Sequence, residues 1–365
     1  MATAVEHPKS SSLVRTELQD PLFVLSVWRS GSSLLYALLN QHSKIALLYE
    51  GDLPRLHPFL WGRFRSGAWR ERWEFWNQGP SRHGIAIESM PANVSNAWEA
   101  TRIVYQEVAR RKQAAIWGEK TPHWYDCPLN MAEKFPDARF IFLWRDMNAV
   151  MESIWRAALS ERFFRKVGFA NRVLIGNEKL RQACDVLKSR GRPVHEVNYE
   201  DLTSSTSECM RQICQFLDVP FESRITSLKG ADRSAISSGQ HHAMVRGDRV
   251  VGQRKQADLL SPALQAKTSR YICRWKRRYD GKWPKYPLEL PEGIRPPSLF
   301  ERWRDRMAYQ VVLGRDKMVA VIYAVMPLDL ARWLRYWLRQ RSYKEDASRS
   351  HNESFSQSTV RDKAC

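Results

Sequence analysis

The stretch from Leu22 to Asn40 constrains the fold of this 365-residue chain more than any other. After Pro21 its first half is a run of apolar and β-prone residues, short enough for a buried strand. Its second half carries leucines at 34, 35, 38 and 39, which is helical spacing. Between them lies Trp28-Arg29-Ser30-Gly31-Ser32-Ser33, a tight turn with one glycine, three hydroxyls and a cation. A strand that feeds a helix through such a turn aims the helix's first N–H groups at one spot, which suits phosphate or sulfate. Arg29 adds a charge that neutral pH cannot remove. The plainer alternative is a strand–turn–helix with Ser32 as N-cap, and the turn alone does not decide between them.

The same rhythm continues down the chain. Ile45–Tyr49 reads as a second strand, followed by Glu50-Gly51-Asp52, where acidic side chains fall just past a strand end. Residues 93–111 read as a helix that Asn93 can cap, and Ala114–Trp117 as a third strand running into the polar loop Gly118-Glu-Lys120-Thr-Pro122. Arg139–Trp144 is apolar after its first residue, as a central parallel strand is, and it ends in Arg145-Asp146. A helix is expected from about Asn148, with Ser153 on its second turn and eight residues after Arg145. Residues 172–190 read as a helix, Val194–Asn198 as a strand with Tyr199–Leu202 as its exit, and Ser205 to Glu208 as a capping box opening a helix to Leu217. Alternating strands and helices predict an α/β fold, a parallel sheet with helices on both faces.

Parallel strands deliver their C-terminal ends to one edge, so Arg29 with its Gly/Ser loop, Lys120, and Arg145 with Ser153 converge on one crevice. Two separated cation groups suit a ligand with phosphates at both ends. The turn lacks the second glycine and the lysine of a P-loop, and no G-x-G-x-x-G occurs. His241 and His242 are adjacent and point apart, and no spacing of His, Cys, Asp or Glu reads as a metal site. The formal charge of +19, from 58 Lys and Arg against 39 Asp and Glu, favours an anionic partner without choosing among nucleotide, phospholipid and nucleic acid.

Other segments frame this domain. Residues 1–20 read as a loose leader without a secretory signal, and six scattered cysteines without CxxC fit a reducing, cytoplasmic compartment. From Pro54 to Pro80 the chain is dense in Trp, Phe and Arg; this is either a helical layer packing its aromatics inward or a wall of an acceptor site. Residues 230–256 read as a long basic loop, Pro262–Tyr279 as a helix capped by Ser261, and 284–297 as a proline-studded linker. The domain is expected to span 21–290, a helical extension 291–341, and a polar disordered tail 342–365. Within the extension, Met318–Met326 is an apolar block and Ala331–Arg339 interleaves Trp, Tyr and Leu with Arg, so 318–341 has the pattern of a segment lying on a membrane surface or of a helix packed on the main domain.

At the level of motifs the chain resembles the sulfotransferases that use 3′-phosphoadenosine 5′-phosphosulfate (PAPS). Arg29-Ser-Gly-Ser-Ser-Leu-Leu35 looks like their 5′-phosphosulfate loop, and Arg145-Asp146 with Ser153 is similar to their 3′-phosphate motif in residues and spacing. Gly118–Pro122 and Tyr199–Leu202 also recur in family members. Arginine rather than lysine at position 29 resembles the tyrosylprotein and carbohydrate branch and its bacterial relatives, and the polar 1–20 stretch leads to the expectation of a member without that branch's usual Golgi anchor. The resemblance implies the P-loop-like sulfotransferase fold and in-line sulfuryl transfer to an acceptor hydroxyl, with 3′-phosphoadenosine 5′-phosphate (PAP) as product and no metal. It implies Arg29 and Lys120 as the cations at the leaving oxygen, and Ser30, Gly31, Ser32 and Ser33 around the 5′-phosphate. Arg145 and Ser153 would hold the 3′-phosphate with Arg254 and Lys255 closing over it, and Glu50 would be the base, with His57 or His123 as the fallback. The expected acceptor is carbohydrate, glycolipid or tyrosyl, a small molecule or one borne on lipid or sugar, and no specific nucleic acid is expected. Two alternatives stand beside it: an NTP-dependent phosphotransferase, and a non-catalytic basic protein of the inner membrane surface or of nucleic acid.

Overall fold

The computed structural model describes residues 21–51, 94, 97–122, 125, 127–165, 169–236 and 240–252, and further on 298–300, 303, 307, 310–311, 314, 318 and 330. Five parallel strands form one sheet: β1 (Pro21–Leu25), β2 (Ile45–Tyr49), β3 (Ile116–Thr121), β4 (Arg139–Trp144) and β5 (Val194–Asn198), in the order β2-β3-β1-β4-β5. The chain leaves β1 in one direction to build β2 and β3 and later in the other to build β4 and β5. The C-terminal end of such a strand is where an open α/β sheet makes room for a ligand.

Alternation along the strands sets two cores. Leu22 and Val24 of β1 face α1 (Ser32–Leu39) and the C-terminal half of the described domain, while Phe23 and Leu25 face the opposite layer. That opposite layer is α2 (Ala97–Lys112), α3 (Pro128–Lys134), α4 (Met147–Ser160) and α5 (Phe169–Ser189). On the α1 side lie the short α6 (Tyr199–Ser204) and the amphipathic α7 (Thr206–Leu217), whose Met210, Ile213 and Leu217 are fully buried. Phe23 illustrates the aromatic density: its ring centroid lies 6.2, 5.6 and 5.8 Å from those of Tyr105, Phe135 and Phe140. Burying a side chain of this size contributes about 1.5–3 kcal/mol.

The third strand departs from the sequence expectation. It begins two residues later than expected and runs on through Gly118-Glu119-Lys120-Thr121, which the apolar pattern assigns to a loop. Each polar residue is accommodated inside the sheet. Glu119 accepts a 2.6 Å hydrogen bond from the Tyr105 hydroxyl, and Gly118 lies so close to β1 that a Cβ would sit 1.9 Å from the Leu22 carbonyl oxygen. Smaller corrections follow from caps. The helix expected from Asn93 begins at Ala97, with Val94 outside it; Asn93 lies outside the described residues. The helix after β4 begins at Met147, because the Asp146 carboxylate accepts from the Ala149 N–H at 2.8 Å. The Ser205 side chain caps nothing, so the expected capping box does not form. The helix before β5 starts at Phe169, three residues early, and the basic 230–256 stretch contains a 3-10 turn, Gln240–Val245, whose Val245 is buried. The Trp-rich 54–80 segment, the stretch 262–279 for which a helix is expected, and residues 1–20 and 342–365 lie outside the described residues.

Candidate active site

The loop after β1 is built to present backbone and cation together. Arg29 and Gly31 both adopt left-handed backbone, at φ 69 and 97. Gly31 is the N-cap of α1 and its carbonyl accepts from Leu34 and Leu35 at 2.9 and 3.1 Å, so the earlier N–H groups of the turn have no intrahelical partner by geometry. Ser30 braces the loop from within: it is fully buried and its hydroxyl donates to the Val27 carbonyl at 2.6 Å. Ser32 opens the helix rather than capping it.

On the β4 side, Arg145 donates from Nη1 to the Arg29 carbonyl at 2.8 Å and lies 4.2 Å over the Tyr199 ring. The parallel register explains the stacking: Trp144 pairs with Asn198, so the next residues of β4 and β5, Arg145 and Tyr199, leave the sheet side by side. The same ring packs under Gly31, where a Cβ would lie 2.3 Å from Tyr199 Cδ2. Arg29 completes the group by donating from Nε to Ser153 Oγ at 2.9 Å. Burial, and then the neighbouring Arg145 charge, hold the Arg29 guanidinium down at about 10. Burial likewise lowers Arg145. Two enclosed like charges in contact with one loop are a site that an anion relieves.

On the β3 side, the Lys120 ammonium is almost fully enclosed and pairs with Glu50 Oε1 at 2.7 Å. It lies 3.4 Å from Ser33 Oγ and 4.0 Å over the Tyr49 ring. Burial opposes its charge, but the Glu50 carboxylate and Tyr49 outweigh burial and carry Lys120 above the ordinary lysine value. Glu50 has left-handed backbone at φ 49, and its N–H donates to the Lys120 carbonyl at 2.8 Å, so the ladder between β2 and β3 runs one residue past β2 and then breaks away. Ser33 Oγ and the Tyr49 hydroxyl lie 2.8 Å apart, which ties this cluster to the loop.

The expected residues therefore gather into two groups around one loop: Arg29, Arg145 and Ser153 on one flank, and Lys120, Glu50 and Ser33 on the other. In this conformation Arg29 hydrogen-bonds to Ser153, on the flank opposite the Lys120 group with which the sequence reading pairs it. Arg254, Lys255, His57 and His123 lie outside the described residues. Two contributors have no role in the sequence reading, Tyr49 and Tyr199. Their signal is an aromatic at the C-terminal end of β2 and directly after β5, where only ligand-side or core roles are open. Among the described residues no group of three or more His, Cys, Asp or Glu is placed to hold a metal. The donor set, two guanidiniums, an ammonium, hydroxyls and loop N–H groups, fits a nucleotide with anionic groups at two positions.

The model described as Sulfotransferase family matches residues 21–223, more than half of the chain. The chain belongs to the sulfotransferase family. Protein-tyrosine sulfotransferase A of Caenorhabditis elegans is 24% identical over 205 residues, which are 56% of this chain and 51% of that protein. The chain thus spans about half the length of the curated relative it matches. Among solved structures, the sulfotransferase domain from the curacin biosynthetic pathway is 20% identical, covers 80% of this chain and 99% of its own, and has a TM-score of 0.44. Mouse sulfotransferase SULT7A1 complexed with PAP is 12% identical, covers 72% and 86%, and has a TM-score of 0.40.

Proposed function

We propose that this sulfotransferase-family protein transfers a sulfuryl group from PAPS to an acceptor hydroxyl on a carbohydrate, a glycolipid or a tyrosyl side chain. The observation that carries the reading is the placement of two cation groups on opposite flanks of the Gly31 loop, at the C-terminal ends of β3, β1 and β4. Bound PAPS supplies the sulfuryl group and a 5′-phosphate leaving group. The N–H groups of Gly31, Ser32 and Ser33 and the Ser33 hydroxyl receive the 5′-phosphate, with Ser30 fixing the loop beneath them. Arg145 and Ser153 hold the 3′-phosphate, and Arg254 and Lys255, which lie outside the described residues, are further candidates to bind it. Arg29, hinged at a left-handed residue beside both flanks, moves from Ser153 to the bridging oxygen.

Glu50 and Lys120 divide the remaining work. Glu50 takes the acceptor's proton, and as its charge is neutralised Lys120 loses its counter-ion. The ammonium then acts on the charge that grows at the leaving oxygen, so base and electrostatic stabiliser are coupled through one 2.7 Å contact. Removing one aimed donor of this kind costs about 10²–10³ in rate. Transfer of radiolabelled sulfate from PAPS into lipid, peptide and sugar pools tests the reading. Label entering one pool with wild type and not with Arg29→Ala is expected; normal turnover by Arg29→Ala overturns it.

A membrane-surface role for the C-terminal extension is a second reading, favoured by one observation. Phe300, Trp303, Met307, Val311 and Met318 recur at three-, four- and seven-residue intervals on helical backbone, and all are exposed. The segment also carries Arg302, Arg304, Arg306, Arg315 and Lys317. Exposed apolar residues on helical backbone beside these cations suit an anionic inner membrane surface; the 331–341 stretch lies outside the described residues. No described helix is long and apolar enough to cross a membrane. Salt-sensitive binding to anionic vesicles, lost on Trp303→Glu, is expected; equal binding to neutral vesicles contradicts it.

A further inference from the structure

The polar group at the end of β2 contains one residue for which the proposed chemistry has no use, and it touches both of the elements that the chemistry needs. Tyr49 is 1% exposed and stands opposite Lys120 in the parallel register of β2 and β3. Its ring lies under the Lys120 ammonium at 4.0 Å, and its hydroxyl is 2.8 Å from Ser33 Oγ in the loop. We propose that Tyr49 is a positioning residue for sulfuryl transfer: its ring holds the Lys120 ammonium between Glu50 and the loop, and its hydroxyl fixes Ser33. The proposal rests on the sulfotransferase reading given above.

The physical need arises from burial. An ammonium withdrawn from water has three N–H groups to satisfy, and here they meet Glu50 at 2.7 Å, Ser33 at a long 3.4 Å, and the face of the ring. When Glu50 takes the acceptor's proton, the strongest of these contacts loses its charge. The ring's negative face does not change with protonation, so it keeps the lysine charged and in place at the moment charge develops on the leaving oxygen. The ring is itself held from behind. Tyr36 meets it edge-on at 4.9 Å, and the Tyr36 hydroxyl accepts from Asn40 Nδ2 at 3.1 Å. Burial raises the Tyr49 phenol, which keeps it a neutral partner for Ser33.

A core tyrosine with no catalytic consequence would have the same burial, so the test leaves shape alone and changes the ring's charge distribution. Tyr49→Phe removes the hydroxyl, and trifluoro- and pentafluorophenylalanine at position 49 then weaken the ring face at nearly constant volume. The readout is single-turnover breakdown of PAPS to PAP and sulfate with water as acceptor, in which the bond from sulfur to the bridging phosphate oxygen breaks and a bond from water oxygen to sulfur forms. The displaced water proton passes to Glu50. PAP affinity is measured in parallel by calorimetry. Tyr49→Phe is expected to weaken PAP about threefold, through Ser33, with the rate kept within about threefold. Fluorination is expected to lower the rate stepwise, to roughly a tenth by the pentafluoro ring, at the PAP affinity of Tyr49→Phe. In Lys120→Met the series is expected to be flat. A flat series with Lys120 present overturns the proposal, as does a Tyr49→Phe protein that loses as much rate as the pentafluoro form. If wild type neither binds PAP nor breaks down PAPS, the sulfotransferase reading fails and the proposal with it; an active wild type with a flat series refutes the tyrosine alone.

Discussion

Replacing Gly31 with alanine probes the junction on which the flank formed by Arg29, Arg145 and Ser153 depends. Two costs can be worked from the structure. At φ 97 the new side chain occupies left-handed backbone, a cost of about 1–2 kcal/mol for an L-residue. Its Cβ would also fall 2.3 and 2.6 Å from Cδ2 and Cε2 of Tyr199, a ring only 7% exposed and backed by the core. Overpacking of a filled site costs about 1–3 kcal/mol, so the sum is about 2–5 kcal/mol. For a domain of this size each kcal/mol lowers the melting temperature by about 2–4 °C, giving an expected drop of about 4–20 °C. The functional loss is separable from the stability loss. Tyr199 carries Arg145 at 4.2 Å, and Arg145 holds the Arg29 carbonyl, so a displaced ring moves both guanidiniums. Calorimetric unfolding and PAP titration are the assays, with affinity expected to fall at least about tenfold. Adding Tyr199→Ala removes the clash, so the double variant is expected to regain part of the contact cost without regaining affinity. A Gly31→Ala protein that melts within 1 °C of wild type and binds PAP equally refutes this reasoning.

Three further outcomes are expected. Gly118→Ala puts a Cβ 1.9 Å from the Leu22 carbonyl oxygen, a backbone atom with nowhere to go, so β1 and β3 must separate and soluble folded protein should be lost on expression. Glu50→Gln should leave PAP affinity within about threefold of wild type and slow transfer by about 10²-fold or more, a split that titration and turnover together would show. Glu222 supplies a pH dependence. Burial opposes its charge, but hydrogen bonds from Ser43 and Arg224 outweigh it and hold the carboxyl near 2 rather than 4.5. Its stabilisation is complete above 4.5 and is lost as pH falls toward 2, so between pH 5 and 2 wild type should lose about 1–3 kcal/mol more than Glu222→Gln in urea unfolding.

How far the fold was legible in the residues follows from which physical signal each element carries. β1, α1 and β4 announce themselves, because their burial is apolar and their period is unmixed. β3 does not, because Glu119 and Lys120 are buried polar residues satisfied by Tyr105 and Glu50, partners that hydropathy cannot see. The cation groups were legible as strand-end residues once a parallel sheet was expected. Their pairing was not: Arg29 and Ser153 are 124 positions apart, and which flank Arg29 leans on is set by the left-handed turn and by α4. Tyr49 and Tyr199 escaped for the opposite reason to β3. Each looks like an ordinary apolar residue at a strand end, and only register shows that one lies under Lys120 and the other under Arg145.

The 3′-phosphate preference is the property that most directly separates sulfuryl transfer from NTP chemistry on the same scaffold. Calorimetric titration of wild type and Arg145→Ala with PAP and with ADP measures it. PAP is expected to bind wild type at least about tenfold more tightly than ADP, with the preference lost in Arg145→Ala and in Ser153→Ala. Equal affinity of wild type for the two nucleotides, or a preference that survives both substitutions, would contradict the assignment of Arg145 and Ser153 to the 3′-phosphate and with it the proposed reaction.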